Sequence, residues 1–164
     1  ITPLQSDYQS KWVTFRDERR VKHVAYLRNI KYSDFSVFEQ ALASIPNNCQ
    51  LQISNSSIIR YAQLFSIKSS VNVFCNRGTS GIDGSTSTAI GAAFANKKQT
   101  VFITGDLSFF YDSNGLWNAN IPANFRIIIV NNSGGGIFKI IPGPGTTNAT
   151  KYFTTPHCLT AEYL

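Results

Sequence analysis

Residues 99–107 read QTVFITGDL and residues 125–132 read FRIIIVNN, and these two stretches decide the fold. Each begins as a short apolar run, typical of a buried strand, and each run stops at polar residues. Such strands, when they alternate with helices, form a parallel sheet whose carboxyl ends meet at one edge. Ligands of these sheets bind beyond that edge. The two stretches therefore predict a site at the ends of neighbouring strands.

The residues at these strand ends are suitable ligands for a hard cation. Asp106 follows the first apolar run and Asn132 follows the second. A carboxylate and a carboxamide that converge suit Mg²⁺, whose near-octahedral shell of oxygens is usually completed by phosphate and water. Gly134 offers a backbone carbonyl, and the two glycines after it allow the backbone to approach a phosphate closely. The alternative for Asp106 alone is a helix cap, a common role for Asp after a strand.

Outward from these strands, the pattern predicts alternating helices and strands. The expected fold class is α/β, a parallel sheet with helices on both faces. Strands are predicted at 50–53, 71–75, 99–104 and 125–130, and helices at 7–29, 33–45, 55–65, 88–95 and 113–118, with a loop from 133 onward. Polar or glycine-rich clusters fall at all four strand ends, which strengthens the prediction of a site there.

Composition and charge exclude several classes of function. A 43% hydrophobic content over 164 residues supports one folded domain, and no apolar run approaches the roughly 20 residues of a membrane helix. The net charge of +6 comes largely from residues 11–28, where the spacing of Trp12 and Phe15 indicates an amphipathic helix rather than a nucleic-acid surface. Three cysteines without metal-ligand spacing indicate free thiols and a reducing, cytoplasmic location.

Three further polar residues lie near the predicted strand ends. Ser56 and Arg60 are four residues apart and share one helical face, where Ser56 can help to bind an anion. The alternative is a helix cap and a solvent-facing arginine. Arg77 follows a strand in a glycine-rich context and suits recognition of a carboxylate. His23 and His157 have no evident partner and are interpreted as surface or packing residues.

Three segments together carry a resemblance to a known family: NRGTSGIDG (76–84), GDLSFFYD (105–112) and NNSGGGIF (131–138). The chain resembles the thiamine diphosphate (ThDP)-dependent enzymes, and among them the carboligases of menaquinone biosynthesis, over about residues 54–144. Leu107 stands where many members carry a glycine. The resemblance implies that residues 46–164 are a diphosphate- and Mg²⁺-binding domain, truncated at its carboxyl terminus. Residues 1–45 would be a linker from a preceding domain plus the leading helices.

The resemblance also implies a role for each matching residue. Asp106, Asn132 and the carbonyl of Gly134 would bind Mg²⁺, or Mn²⁺ in its place. Ile82 would hold the cofactor in its bent conformer. The expected cofactor-binding residues are Asn55, Ile82, Gly105, Leu107, Ser108 and Gly136, and those expected to line the substrate pocket are Ser56, Arg60, Arg77, Ile137 and Phe138.

Enzymes of this type decarboxylate 2-oxoglutarate and add the resulting succinyl semialdehyde anion equivalent to isochorismate by 1,4-addition. Both substrates are dianions, which suits paired arginines. An activating glutamate would come from an amino-terminal pyrimidine-binding domain, usually of a second subunit in a homodimer or homotetramer. We therefore expect this chain to be inactive alone. Two alternatives stay open: another ThDP-dependent 2-oxo acid decarboxylase or synthase, and a non-catalytic phosphate-binding α/β module.

Overall fold

A four-stranded parallel sheet forms the centre of the computed structural model, which describes residues 6–162. The strands lie in the order β2-β1-β3-β4, and each neighbouring pair is parallel. Their bounds are β1 Gln50–Ile53, β2 Asn72–Cys75, β3 Thr100–Gly105 and β4 Phe125–Val130. The predicted α/β fold class is confirmed, and all four predicted strands are present.

Six α-helices accompany the sheet. They are α1 Tyr8–Leu27, α2 Asp34–Ser44, α3 Ser57–Ala62, α4 Ser85–Ala95, α5 Asp106–Tyr111 and α6 Thr150–Phe153. Short 3₁₀ turns lie at Ser113–Leu116, Gly136–Lys139 and Pro144–Thr146. The stretch predicted as loop from residue 133 onward therefore contains two of these turns and α6.

The helix predicted at 113–118 is wrong. Instead α5 begins at Asp106, directly after β3, and residues 113–116 form a single 3₁₀ turn. The buried carboxylate of Asp112 accepts both the backbone N–H and the hydroxyl of Ser87 at 2.6 Å. This contact satisfies an N–H in the first turn of α4, where the N-cap residue Gly84 has no side chain to do so. Helix α4 consequently begins at Ser85 rather than at the predicted position 88.

Two apolar clusters cover opposite faces of the sheet, because successive side chains of a strand point to opposite sides. Val101 and Ile103 of β3 pack with α2 and α3. Phe102, the residue between them, packs with Ala89 and Ala93 of α4. Full burial of one such side chain contributes roughly 1.5–3 kcal/mol. The two layers fix β1 and β3 at the centre of the sheet, with their carboxyl ends at one edge.

Helix α1 lies outside these layers, and none of its residues is buried. Its last turns contact the rest of the chain through His23, whose ring centroid lies 5.3 Å from that of Phe35 and 5.1 Å from that of Phe65. His23 is thus a packing residue, as expected. The apolar side of the helix is exposed together with the basic side, since Trp12 is 55% exposed. Among residues 6–162, no helix has both the length and the apolar character needed to span a membrane.

Candidate functional site

A cavity of ≈ 380 Å³ lies beyond the carboxyl ends of β1 and β3. Its walls come from the residues after β1, the loop after β2, the start of α5 and the stretch after β4. All but one of the predicted site residues line it: Asn55, Ser56, Arg60, Arg77, Ile82, Gly105, Asp106, Leu107, Ser108, Gly134, Gly136, Ile137 and Phe138. Four segments that are distant in sequence therefore meet at the predicted edge of the sheet.

The glycine-rich loop, residues 77–84, is held over the cavity by two side chains from the sheet edge. Asn55, after β1, donates its Nδ2–H to the carbonyl of Gly81 at 3.1 Å. Ser108, in α5, donates its hydroxyl to the carbonyl of Ile82 at 2.5 Å. These bonds join the ends of β1 and β3 to the loop. They leave the side chain of Ile82 in the cavity lining.

Asp106 is the acidic residue at the centre of the cavity wall, and it is only 3% exposed. Its Oδ1 accepts the N–H of Leu107 at 2.8 Å, and its Oδ2 accepts the N–H of Gly134 at 2.8 Å. Oδ2 also lies 3.1 Å from Nε2 of His157. Gly105, not Asp106, occupies the N-cap position of α5. Asp106 is therefore not the N-cap residue, but its Oδ1 still accepts one N–H in the first turn of the helix.

Asn132 is the predicted site residue that does not line the cavity. Its side chain is exposed, and its Nδ2–H donates to Oδ2 of Asp34 at 2.8 Å. A carboxylate only accepts hydrogen bonds, so this contact turns the amide nitrogen toward Asp34 and leaves Oδ1 for another partner. The side chain lies against Gly136, where an added Cβ would stand 3.0 Å from Nδ2. A glycine at 136 is what allows Asn132 this position.

Two basic residues also line the cavity. The guanidinium groups of Arg60 and Arg77 belong to exposed residues, and within residues 6–162 neither forms an ion pair. Ser56, which also lines the cavity and precedes α3, has a φ of 74°, in the left-handed region. Such a conformation costs roughly 1–3 kcal/mol and is found most often at binding and active sites. The two arginines can bind an anion that enters the cavity.

The cysteine thiols near the sheet are not activated nucleophiles. Burial raises the pKa of the Cys75 thiol, and the charge of Arg77 opposes this only in part. Burial likewise raises the pKa of Cys49. Both thiols stay protonated at neutral pH, and the third cysteine, Cys158, is exposed. The reactive chemistry of the cavity does not come from a thiolate of this sheet.

Two residues at the site were missed by the sequence reasoning. His157 was interpreted as lacking a partner, which is wrong, because its ring lies against the Asp106 carboxylate. Asp34, which begins α2 and lies in the helix predicted at 33–45, has no predicted role in the site, yet it binds the side chain of Asn132. Neither contact can be predicted from neighbouring residues in the sequence, because the partners are 51 and 98 residues apart.

The donor set fits a hard cation better than a soft one. In the described part of the chain, no three His, Cys, Asp or Glu side chains cluster in a way that could hold a metal ion. A cation bound at Asp106 would therefore take amide, carbonyl and ligand oxygens for the rest of its shell. That mixture is the one that Mg²⁺ uses in phosphate sites, whereas zinc sites need several His or Cys ligands.

Comparison with known proteins gives an independent result. A family model described as "Thiamine pyrophosphate enzyme, C-terminal TPP binding domain" matches residues 55–159. The chain is also similar to 2-succinyl-5-enolpyruvyl-6-hydroxy-3-cyclohexene-1-carboxylate synthases from three bacteria. The identity is 60% over 162 residues for Flavobacterium johnsoniae, 59% over 165 residues for Flavobacterium psychrophilum and 38% over 158 residues for Porphyromonas gingivalis.

These similarities cover 98%, 100% and 95% of the chain but only 29%, 30% and 27% of the three relatives. The chain thus spans less than a third of the length of the curated relatives it matches. What it shares with them is the region that contains the cavity.

Proposed function

The chain belongs to the thiamine pyrophosphate enzyme family, as its C-terminal cofactor-binding domain, and we propose that it binds ThDP together with Mg²⁺ in the cavity beyond β1 and β3. The observation that carries this proposal is the convergence of the family's motif residues around one buried aspartate. This carboxylate is deeply buried and is bonded to two backbone N–H groups and one imidazole, and a divalent cation beside it would balance its negative charge.

In this proposal, Asp106, the Oδ1 atom of Asn132 and the carbonyl of Gly134 hold the cation, which is Mg²⁺ or Mn²⁺. Asp34 supports the role of Asn132, because it fixes which end of the carboxamide is free. The diphosphate oxygens complete the shell, and the glycine backbone at 134–136 gives them room to approach. Gly105, Leu107 and Ser108 surround the diphosphate from the β3 side.

ThDP, when bound, supplies the carbon centre and electron sink needed to decarboxylate a 2-oxo acid. The apolar side chains of this chain then keep water away from the reacting centre. Ile137 is buried in the cavity wall, and Phe138 stacks on Phe153 with ring centroids 5.0 Å apart. Ile82 lines the cavity from the glycine-rich loop and would support the bound cofactor there.

We propose that the substrates are 2-oxoglutarate and isochorismate, joined by decarboxylation and 1,4-addition to form the 2-succinyl product that appears in the names of the relatives. Arg60 and Arg77 support a substrate with more than one carboxylate, because both line the cavity and neither forms an ion pair within residues 6–162. A decarboxylase whose 2-oxo acid substrate has a small, uncharged side chain does not need a second arginine. Ser56 lies beside Arg60 and can donate its hydroxyl to the same anion.

A complete active site in this proposal also needs the pyrimidine-binding domain with its activating glutamate, contributed by a second subunit of a homodimer or homotetramer. No acidic residue of the cavity lining other than Asp106 is available in the described part of the chain. The reaction belongs to the cytoplasm, where free thiols such as Cys49 and Cys75 stay reduced.

The cofactor proposal is tested by calorimetric titration of the full-length protein with ThDP, once in the presence of Mg²⁺ and once in the presence of EDTA. We expect binding that requires the cation. Turnover assays with 2-oxoglutarate plus isochorismate, and with pyruvate alone, then test the substrates. Absence of Mg²⁺-dependent ThDP binding would contradict the cofactor site, whereas binding with turnover of pyruvate only would contradict the substrate assignment.

Arg77→Ala and Arg77→Lys provide a sharper test of the anion-binding wall. We expect both variants to raise the KM for the dianionic substrate, by about 10-fold or more for alanine, since an arginine–carboxylate pair contributes roughly 1.5–3 kcal/mol. Lys97→Ala, on an exposed residue away from the cavity, is the control. An unchanged KM in the alanine variant would exclude Arg77 as a carboxylate ligand.

A further inference from the structure

We propose that His157 is a positioning residue for Asp106, which holds the carboxylate so that Oδ1 is the oxygen presented to the divalent cation. This inference rests on the proposed function and concerns a residue outside the family motifs in the sequence. It predicts coordination through one carboxylate oxygen rather than through both.

The contact between the two side chains is buried and direct. Nε2 of His157 lies 3.1 Å from Oδ2 of Asp106, and the two side chains are 10% and 4% exposed. The imidazole also meets the ring of Phe110 edge-on, with centroids 5.5 Å apart and an interplanar angle of 89°. The ring therefore has an aromatic wall on one side and the carboxylate at its tip. Its orientation is set by packing as well as by hydrogen bonding.

The backbone determines which ring nitrogen of His157 carries the proton. The N–H of Leu159 donates to Nδ1 at 3.1 Å. Because Nδ1 accepts this bond, it carries no proton, and the proton of the neutral ring resides on Nε2. Nε2–H consequently donates to Oδ2 of Asp106. The ring therefore meets the carboxylate through the nitrogen that can donate a hydrogen bond.

A count of hydrogen bonds on Asp106 identifies the oxygen that remains available. A carboxylate has about four lone-pair sites, two on each oxygen. Oδ2 accepts from Gly134 and from His157, whereas Oδ1 accepts only from Leu107. The unoccupied lone pair thus lies on Oδ1. Without His157, both oxygens would be free to compete for the cation.

The segment that carries the histidine is fastened along the turn after β4. We call residues 154–159 the tail segment. The carbonyl of Thr154 in this segment accepts a hydrogen bond from the N–H of Gly135 at 2.7 Å. Asn131 donates its Nδ2–H to the carbonyl of Leu159 at 2.9 Å. The N–H of His157 itself donates to the carbonyl of Ser133 at 3.4 Å. Three bonds therefore link the tail segment to the same turn that carries Asn132 and Gly134, and one of them comes from the backbone of His157 itself.

A pair of variants with side chains of similar volume tests the hydrogen bond separately from packing. His157→Gln keeps an N–H donor of similar reach, and His157→Met fills similar space without one. The readout is the Kd of Mn²⁺ in the presence of ThDP, measured on the full-length protein by electron paramagnetic resonance. His23→Gln is the matched control, because His23 packs against the rings of Phe35 and Phe65 and none of the three residues lines the cavity.

We expect the methionine variant to bind Mn²⁺ about 10- to 100-fold more weakly, the usual effect of losing a partner of a metal ligand. The glutamine variant should stay within a few-fold of wild type, and His23→Gln should match wild type. Equal Mn²⁺ affinity of the glutamine and methionine variants would overturn the inference. Wild-type protein that does not bind Mn²⁺ with ThDP would instead overturn the proposed function.

A second pair of variants tests the tautomer and does not alter the histidine. Leu159→Pro removes the N–H that Nδ1 accepts, whereas Leu159→Ala retains it, and Leu159 itself is exposed. We expect Mn²⁺ to bind several-fold more weakly to the proline variant than to the alanine variant. If His157→Met does not fold, this pair decides the question, and equal affinities of its two members would overturn the inference.

Discussion

At the scale of single residues, the chemistry of the cavity depends on how three N–H donors surround one carboxylate. Each donor to Asp106 comes from a different part of the chain: the next residue, the turn after β4 and the tail segment. Buried carboxylates are tolerated only when they are hydrogen-bonded or paired with a cation. Asp106 has the bonds, and in the proposed function the cation supplies the charge.

Asp106→Asn should abolish tight cation binding with little change in shape. The substitution removes the negative charge and replaces one accepting oxygen with a donor, so we expect a loss of about 100-fold in Mn²⁺ affinity, or roughly 3 kcal/mol. ThDP binding should weaken in parallel, as measured by calorimetry on the full-length protein. Asp17→Asn, on the exposed surface of α1, is the control. Undiminished Mn²⁺ binding in Asp106→Asn would exclude this residue as the ligand.

Asp34→Ala should weaken the cation site through Asn132. The carboxylate of Asp34 holds the amide nitrogen, so its loss frees the carboxamide to rotate and present either end. We expect a loss of about 10-fold in Mn²⁺ affinity, in line with other partners of metal ligands. Glu39→Ala, in the same helix, provides the comparison. Identical Kd values for the two variants would show that Asp34 does not orient Asn132.

The predicted site residues and the missed ones differ in the kind of signal that they leave. Asp106 and Asn132 each follow an apolar run, and the geometry of parallel strands brings such residues to one edge. His157 follows an irregular stretch with Pro156, where no periodicity indicates which way a side chain points. Its partner is fixed only by tertiary hydrogen bonds of the tail segment, which a single sequence does not encode locally.

At the scale of elements, strands were predicted more accurately than helices. The bounds of β1 and β4 agree with the prediction, and those of β2 and β3 differ by single residues. The helix α5 was missed because the residues around its start, Gly105 to Ser108, are typical of a loop. Phe109 of this helix is buried, and that burial stabilises a helix where local propensity favours a turn.

The turn after β4 depends on a glycine conformation. Gly134 has a φ of 144°, and a Cβ added there would collide with the carbonyl oxygen of Thr154. Gly134→Ala should therefore lower the free energy of unfolding by roughly 1–3 kcal/mol through backbone strain alone, with a further loss from the displaced tail segment. Denaturant unfolding measures the change.

Gly145→Ala is the appropriate control for that substitution, since nothing lies within 4 Å of the added Cβ. Its stability should stay within a few tenths of a kcal/mol of wild type. If both variants unfold at the same denaturant concentration, the close packing between the turn and the tail segment is not required for stability.

At the scale of the whole molecule, the sheet depends on two apolar layers that share β3. Phe102 belongs to the α4 side and is almost completely buried. Phe102→Ala should lower the free energy of unfolding by roughly 3–5 kcal/mol, the usual result of removing a buried aromatic ring. Phe94→Ala, at an exposed position of α4, should change it little. Equal melting temperatures for the two variants would contradict the two-layer description.

Because the tail segment is synthesised after the sheet, the cation site is completed after the strands that support it. Asp106 and His157 are 51 residues apart, and ribosomes add roughly 5–20 residues per second. The imidazole is therefore synthesised about 3–10 s after the acid that it orients. During that interval the strands can already pair while the ion-binding carboxylate lacks its last donor. Maturation of the cation pocket is thus a late event in biosynthesis, after assembly of the sheet beneath it.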